Sequence, residues 1–373
     1  METKPIGLYV HIPFCKKKCN YCDFCSVACG SDKITRYTDN LIREIESYKR
    51  NPKIKIDTVF FGGGTPSVID VGSFLKIASA VYDSFDVAAD TELSVEVNPA
   101  TLTDEKLSAF REVGVNRISI GLQSIHENEM KILGRIHTYD DFLKTYHMVR
   151  AAGIKNINVD LMYGIPEQSV SSFKKTLDAV IALSPEHVSA YGLIVEEGTP
   201  FFTNRDKLNL PDEDTEYSMY LDADRKLFDA GYAHYEISNY AQPGYVCRHN
   251  LKYWRDEEYI GVGLAAHSYY LGKRFYNTAS FDEYFEDFGA KYRKEENANV
   301  GLDKFEYAML GLRLSEGISL AEYKKLFDES FADGNEEKLD AYIKAGFMQI
   351  KDGRLSFTAK GFYISNAIMA ELL

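Results

Sequence analysis

Residues 7–24 read GLYVHIPFCKKKCNYCDF, and they join a strand-like run directly to a cluster of cysteines. Gly7 to Ile12 predicts a short buried strand, which the following proline ends because proline cannot donate to a sheet ladder. Cys15, Cys19 and Cys22 then follow with the spacing C-x3-C-x2-C. A strand that runs straight into such a loop favours a fold whose functional groups lie at strand ends.

The composition is that of a globular protein rather than a disordered or membrane-spanning one. The 373 residues are 45% hydrophobic and 27% charged, and 22 Phe and 26 Tyr supply aromatic side chains for a core. A formal net charge of −13 disfavours nucleic acid as a partner and leaves only peripheral contact with membranes open. The chain has no apolar run of about 18 residues and no signal-peptide pattern at its start, so we expect a cytoplasmic protein.

The cysteines are concentrated in one place. Five of the six fall between Cys15 and Cys29, and only Cys247 stands apart. A disulfide framework would spread its cysteines along the chain, so metal or redox chemistry is favoured. Three thiolates in one short loop can ligate three irons of a 4Fe-4S cluster and leave the fourth iron without a protein ligand. We therefore predict Cys15, Cys19 and Cys22 as the cluster ligands.

Two other interpretations of the cysteine loop remain open at this point. A zinc knuckle needs four ligands, and Cys25 or His11 could supply the fourth. Alternatively, positions i, i+4 and i+7 share one face of a helix, so the three cysteines could be buried thiols. The preceding Pro13 and the polar residues of the loop argue against a buried helix.

Strand-like and helical patterns alternate along the first part of the chain. The predicted strands lie near 7–12, 58–61, 91–97, 116–121, 156–162 and 187–194, and the helical patterns near 34–48, 72–84, 103–112, 140–152, 170–183 and 213–230. This order predicts parallel β/α units with right-handed crossovers. Polar signatures end almost every strand, which favours a partial (β/α)6 TIM-like barrel over residues 1–235 rather than an open doubly wound sheet.

The remaining chain divides into two predicted parts. Residues 236–299 form an irregular, aromatic-rich connecting region. Residues 300–373 read as helices, a hairpin around Lys351-Asp352-Gly353 and a last helix, which predicts a small winged-helix-like domain. Acidic residues outnumber basic ones in this last part, so a docking or lid role is favoured over DNA binding.

The stretch from His11 to Phe24 resembles the signature of radical S-adenosylmethionine (SAM) proteins. The resemblance extends along nearly the whole chain to the coproporphyrinogen III oxidase-like branch of that superfamily. It implies a partial barrel in which SAM chelates the open iron of the cluster. It also implies cleavage of SAM to a 5′-deoxyadenosyl radical, with an electron from a donor such as a flavodoxin or ferredoxin.

The glycine-rich run Gly62 to Ser67 resembles the GGGTP turn of the same family. Glycines allow a positive φ and a close approach of the backbone to a ligand. The resemblance assigns SAM contacts to Tyr9, Gly63, Gly64, Thr65, Glu96, Gln123, Arg135 and Asp160. Arg135 suits the carboxylate of SAM, whereas the acidic and amide side chains suit its ribose hydroxyls or its cationic end.

Three features separate the oxidases of this branch from its heme chaperones, the HemW group. The oxidases resemble C-x3-C-x2-C-x-C, but Phe24 occupies the last position here and Cys25 lies one residue late. The oxidases also carry an N-terminal extension, whereas only eight residues precede Tyr9. Finally, His249 to Trp254 matches the HNxxYW motif of the HemW group. We therefore predict transfer of heme to an acceptor protein, with oxygen-independent coproporphyrinogen III oxidation as the alternative.

A predicted heme-binding function calls for an axial ligand of the iron, and the candidates lie in or near the HNxxYW motif. A neutral imidazole can occupy an axial position of the iron, and Trp or Tyr rings can cover the macrocycle. His249 is the candidate, and its alternative is a histidine that is hydrogen-bonded in a structural turn. Cys247 and His267 are further candidates. No role is assigned to Cys25 or Cys29.

Overall fold

A computed structural model describes residues 4–28, 30–296 and 303–373. Within them the strands are β1 (Ile6–Ile12), β2 (Phe14–Cys15), β3 (Val27–Ala28), β4 (Ile54–Gly63), β5 (Phe85–Val97), β6 (Arg117–Gln123), β7 (Asn156–Tyr163), β8 (His187–Gly192), β9 (Ala233–Glu236), β10 (Asn239–Ala241), β11 (Tyr259–Val262), β12 (His267–Tyr270), β13 (Lys273–Tyr276), β14 (Lys294–Glu295), β15 (Ile318–Ser319), β16 (Met348–Lys351) and β17 (Arg354–Phe357).

The helices are α1 (Ser31–Ser47), α2 (Val71–Ser84), α3 (Asp104–Glu112), α4 (Glu127–Leu133), α5 (Tyr139–Ala151), α6 (Val170–Leu183), α7 (Pro200–Thr203), α8 (Glu213–Asp229), α9 (Arg248–Trp254), α10 (Phe281–Tyr284), α11 (Lys304–Gly311), α12 (Leu320–Phe327), α13 (Glu336–Lys344), α14 (Ala359–Tyr363) and α15 (Ser365–Leu372). Side-chain caps begin several of them. Thr138 with Asp141 forms a capping box at α5, and Ser169 with Ser172 forms one at α6.

One large sheet carries the fold, in the linear order β14-β13-β12-β11-β1-β4-β5-β6-β7-β8-β10-β9. Its central strands β1, β4, β5, β6, β7 and β8 are parallel neighbours in chain order, and helices connect them. Because the order is linear, the sheet does not close on itself. The partial (β/α)6 barrel predicted from the sequence is confirmed.

The two faces of this sheet differ in chemistry. Leu8, Val95 and Ile118 are fully buried on one face, in the same apolar core as helix residues such as Phe74 and Phe142. The opposite face is polar over most of its area, because β5 to β8 place there the alternating residues Glu92, Ser94, Glu96, Arg117, Ser119, Asn158, Asp160, His187 and Ser189. If both faces of these strands were apolar, their sequences would be continuous hydrophobic runs. The alternation therefore indicates a polar barrel interior.

Residues 236–299 contain more regular structure than their sequence suggests. Strand β10 pairs antiparallel with β8, and β11 pairs in parallel with β1. Strands β12, β13 and β14 continue the sheet as an antiparallel ribbon. Strands of two to four residues are too short for their alternation to be read from the sequence.

The C-terminal part consists of α11 to α15 and a small antiparallel sheet of β15, β17 and β16. Backbone hydrogen bonds attach it to the β9 end of the barrel sheet. Ile237 donates its N–H to the Arg313 carbonyl at 3.0 Å, and Ser315 donates to the Tyr235 carbonyl at 3.0 Å. The helices-then-hairpin order predicted for this part is present. The boundaries at residues 235 and 300 stay a prediction.

Within the described parts of the chain, no helix is long and apolar enough to cross a membrane.

Candidate functional site at the mouth of the barrel

The cysteine loop lies over the carboxyl ends of the parallel strands and is held there by its asparagine. Asn20 accepts the backbone N–H of Phe201 at 3.0 Å, and its own N–H donates to the Leu133 carbonyl at 3.0 Å. Its side-chain amide donates to the Ile132 carbonyl at 2.8 Å. The three cysteines therefore sit in an irregular, anchored loop, and the interpretation as a buried helix is wrong.

Two predicted site residues reach the thiols. Thr65 donates its hydroxyl to the Cys15 sulfur at 3.6 Å, and Arg135 donates a guanidinium N–H to the Cys19 sulfur at 3.6 Å. Two of the three predicted cluster ligands thus each have a side-chain donor at the sulfur. The structure thus brings together residues that are 50 and 116 positions apart in the chain.

Two lysines of the cysteine loop donate hydrogen bonds to backbone carbonyl groups. Lys16 donates to the Ala100 carbonyl at 2.8 Å, and Lys18 donates to the Phe24 carbonyl at 2.9 Å. Burial raises the pKa of the Cys22 thiol, and Lys18 opposes that rise only in part. A bound metal, rather than the lysines, would have to supply the charge that keeps this thiol deprotonated.

The glycine-rich turn packs directly on the start of the cysteine loop. Gly63 has a φ of +113°, and a Cβ there would lie 2.5 Å from the ring of His11. A Cβ on Gly64 would lie 2.7 Å from the Phe14 carbonyl oxygen. Two backbone bonds fix this approach, Gly64 N–H to Ile12 and Thr65 N–H to Phe14, at 2.9 and 2.8 Å. Glycine is required here by close packing.

Two half-buried acidic residues, Glu96 on β5 and Asp160 on β7, face the mouth. Glu96 accepts the Gly63 N–H at 3.1 Å. Burial, and next the charge of Asp160, raise the pKa of Glu96 to about 8, and burial also raises the pKa of Asp160. A cation placed between them would favour their charged forms.

Arg135 lies at the same mouth with unused hydrogen-bonding capacity. One guanidinium nitrogen donates to the Gly121 carbonyl at 2.5 Å, but Nε is buried and has no partner. An unpaired buried donor is costly, so this side chain is suited to an acceptor that arrives with a ligand. Gln123, two residues after Gly121 on β6, is buried and has a φ of +73°.

The half-buried Tyr9 and the buried His11 form a pair beneath the turn. The Tyr9 hydroxyl is hydrogen-bonded to Nδ1 of His11 at 3.0 Å, and Nε2 of His11 contacts the Cys25 carbonyl at 2.9 Å. Burial lowers the pKa of His11 to about 4, so the ring is neutral. His11 is thus engaged with the backbone of the loop. Among the described residues, no group of three or more His, Cys, Asp or Glu lies close enough together to hold a single metal ion.

The structure adds polar residues that the sequence interpretation missed. Ser119 and Asn158 both donate to the Asp160 carboxylate, at 3.0 and 2.7 Å. His187 contacts the Asn158 side-chain oxygen at 2.6 Å. The signal for them was the alternation N-I-N-V-D along β7 and H-V-S-A along β8, which places these side chains on one face.

Comparison with known proteins now identifies the family. The model for the Radical SAM superfamily matches residues 9–180, and the HemN C-terminal domain model matches residues 304–364. Heme chaperone HemW of Lactococcus lactis is 33% identical over all of this chain and 98% of its own length. Heme chaperone HemW of Escherichia coli is 38% identical over 72% of this chain and 71% of its own length.

The chain belongs to the HemW family.

The solved structure of the coproporphyrinogen III oxidase HemN from Escherichia coli has the same fold. It superposes with a TM-score of 0.83 over 99% of this HemW-family chain and 90% of its own, at 23% identity. The resemblance to the coproporphyrinogen III oxidase-like branch of radical SAM proteins is confirmed.

In this HemW-family chain the HNxxYW motif lies on α9, at the end of the barrel opposite the cysteine loop. Helix α9 contacts the first halves of β4 and β5: Arg248, just before the motif, donates to the Asp90 carbonyl at 2.9 Å, and Lys252 pairs with Asp57 at 2.9 Å. The strands run from there toward Gly63 and Glu96 at the mouth. The motif therefore forms the floor of the barrel.

His249 is buried in this floor, with both ring nitrogens engaged. Nδ1 is 2.9 Å from the Thr58 hydroxyl, and Nε2 is 2.8 Å from the Tyr253 hydroxyl. Burial lowers the pKa of His249 to about 3. Binding of heme iron by His249 stays a prediction, and it requires that one of these hydrogen bonds be given up.

The other heme-ligand candidates differ in exposure. Cys247 is fully buried, and burial raises the pKa of its thiol to about 12. His267 is exposed, stacks on Tyr276, and lies 3.1 Å from Glu296. Cys25 is half-buried, whereas Cys29 lies outside the described residues.

Proposed function

We propose that this chain is a heme chaperone that holds a 4Fe-4S cluster on Cys15, Cys19 and Cys22, binds SAM beside it, and passes heme to an acceptor protein. The observation that carries the proposal is the similarity, over nearly the full length of both chains, to proteins named heme chaperone HemW. The side chain at the oxidases' additional cysteine position supports it, because Phe24 is 63% exposed and offers no ligand.

The residues of the mouth fit a cluster and SAM. Three half-buried thiols share one anchored loop, and Thr65 and Arg135 donate to two of them. When bound, the cluster would supply an electron and the open iron a binding position for SAM. The protein's own part is to place charges. Nε of Arg135 suits the SAM carboxylate, and Glu96 and Asp160 suit its ammonium, sulfonium or ribose groups.

An electron donor for this site would meet a basic surface. Lys16, Lys17 and Lys18 are all exposed beside the loop, in a chain whose formal net charge is −13. Opposite charge steers association of protein partners. A small acidic electron carrier of the flavodoxin or ferredoxin kind fits this face.

The proposal is tested by anaerobic reconstitution of the wild type and two matched variants, Cys19→Ala and Cys25→Ala. We expect full iron and sulfide in the wild type and in Cys25→Ala, but loss of an intact cluster in Cys19→Ala because one of its three ligands is gone. Heme is then titrated into the wild type, and the loaded protein is mixed with a heme-free acceptor. The Soret band should move to the acceptor's position.

Two results would contradict this. If Cys25→Ala loses the cluster and Cys19→Ala keeps it, the ligand assignment is wrong. If the wild type binds no heme, or releases none to any acceptor, the chaperone function is wrong.

A further inference from the structure

The Asp160 carboxylate is held by side chains from two neighbouring strands of the barrel. Ser119 on β6 donates its hydroxyl to Oδ2 at 3.0 Å, and Asn158 on β7 donates its amide to Oδ1 at 2.7 Å. Asn158 also donates to the Ser119 hydroxyl oxygen at 2.7 Å. The serine hydroxyl is therefore oriented so that its proton points to Asp160.

The orientation of the Asn158 amide is itself determined from β8. Its side-chain oxygen contacts His187 Nδ1 at 2.6 Å and accepts the Ser189 hydroxyl at 3.1 Å. An amide oxygen only accepts, so Nδ1 of His187 carries the proton. Burial lowers the pKa of His187 well below its ordinary value, so the ring is neutral and Nε2 is an acceptor.

The chain of hydrogen bonds continues to the floor of the barrel. Nε2 of His187 is 2.8 Å from the Tyr235 hydroxyl, which must donate to it. The Tyr235 oxygen in turn accepts the backbone N–H of Cys247 at 3.2 Å. Every donor in this chain points in one direction, from the segment before α9 toward Asp160.

Such a one-directional chain leaves Asp160 as an acceptor only. The titratable and charged groups that also face it come from every neighbouring element: Glu96, Arg117, Arg135, Tyr21 and Tyr191. Burial raises the pKa of Asp160, and the hydrogen bonds from Asn158, Ser189 and Ser119 lower it. Without these donors the pKa of the Asp160 carboxyl group would be higher still.

We infer that Asn158 and His187 are positioning residues that keep the Asp160 carboxylate ionised and aimed at SAM. The inference rests on the proposed SAM site. Neither side chain has to touch SAM, because each acts through the next: His187 sets the orientation of the Asn158 amide, and that amide holds Asp160.

The experiment measures SAM binding to the cluster-reconstituted protein by anaerobic equilibrium dialysis, from about pH 6 to about pH 9. For Asn158→Leu we expect the dissociation constant to rise about tenfold at the acidic end and about threefold or less at the alkaline end, because the lost donor no longer favours the ionised carboxyl group. Ser119→Ala, a small change, should shift binding in the same direction by less.

Rescue at position 187 separates positioning from mere packing. His187→Leu should show the same pH-dependent loss as Asn158→Leu. His187→Gln should restore most of the affinity, because its amide can donate to the Asn158 oxygen. Asn116→Ala is the matched control, since Asn116, just before β6, is hydrogen-bonded to Thr91 and Leu93 within β5 and makes no hydrogen bond to Asp160. Its SAM binding should follow the wild type at every pH.

The outcomes distinguish the two proposals. If the wild type binds SAM but Asn158→Leu and Ser119→Ala weaken binding equally at every pH, or His187→Gln is no better than His187→Leu, the positioning role is overturned. If the cluster-loaded wild type binds no SAM at any pH, the proposed SAM site fails, and the positioning role with it.

Discussion

At Glu96, binding and stability make opposite demands on one side chain. Glu96 is half-buried and its carboxyl group accepts the Gly63 N–H, with Asp160 nearby. Burial and that neighbour raise its pKa to about 8. A group whose pKa is raised by folding gives its full stability below the unfolded pKa of about 4.5, and this stability is lost as the pH rises through about 8.

Glu96→Gln should therefore stabilise the SAM-free protein in alkaline solution. Glutamine can still accept the Gly63 N–H but carries no charge. We expect the free energy of unfolding to rise by about 1–2 kcal/mol at about pH 9 and to change little at about pH 5, as measured by chemical denaturation. Glu105→Gln, on the exposed face of α3, is the control and should have no effect at either pH. An equal change at both pH values would show that Glu96 is not the titrating group.

Among the elements, α9 has the clearest task, which is to close the floor of the barrel. Glu92 accepts the backbone N–H groups of Arg248 and His249, at 3.0 and 3.1 Å, and so caps the first turn of the helix from another strand. The His249 ring stacks on Phe60 with centroids 5.3 Å apart. The helix is thus tied to β4 and β5 by buried polar and aromatic contacts.

Removal of the buried His249 ring should destabilise the folded protein. His249→Ala removes the stacking and leaves the Thr58 and Tyr253 hydroxyls without their partner, so we expect a loss of about 2–4 kcal/mol in the free energy of unfolding. His267→Ala is the matched control, because that side chain is 57% exposed and should cost about 0.5 kcal/mol or less. Denaturant titration of the cluster-free proteins compares the two. Equal, small losses would mean that His249 has no structural role in the floor.

On the scale of the whole molecule, the two ends of the barrel are assigned different work. The mouth gathers thiols, glycines, carboxylates and an arginine, whereas the floor is sealed by α9. The C-terminal part packs beside the open edge, where Tyr363 contacts Tyr217 and Tyr220 with ring centroids 4.9 and 5.6 Å apart. This arrangement leaves the mouth as the place where SAM and the cluster would meet.

Much of this architecture is predictable from the sequence, because the parallel strands and their polar ends are local patterns. The cysteine spacing predicts the cluster loop. Glu96 and Asp160 lie on predicted strands near their carboxyl ends, which predicts that both side chains lie at the mouth of the barrel. The hydrogen bonds of Asn158 and His187 are not predictable in the same way, since they depend on the register between β7 and β8. The hydrogen-bond partners of His249 are equally unpredictable from the sequence, because Thr58 is 191 positions away in the chain.

The most direct test of the account is product analysis with coproporphyrinogen III. The cluster-reconstituted wild type is incubated anaerobically with coproporphyrinogen III, SAM and a chemical reductant, and the porphyrinogens are oxidised and separated by chromatography. A heme chaperone with Phe24 at the oxidases' additional cysteine position should yield no decarboxylated product, while the same preparation transfers heme to an acceptor. Stoichiometric formation of protoporphyrinogen would contradict the account and assign the chain to the oxidases.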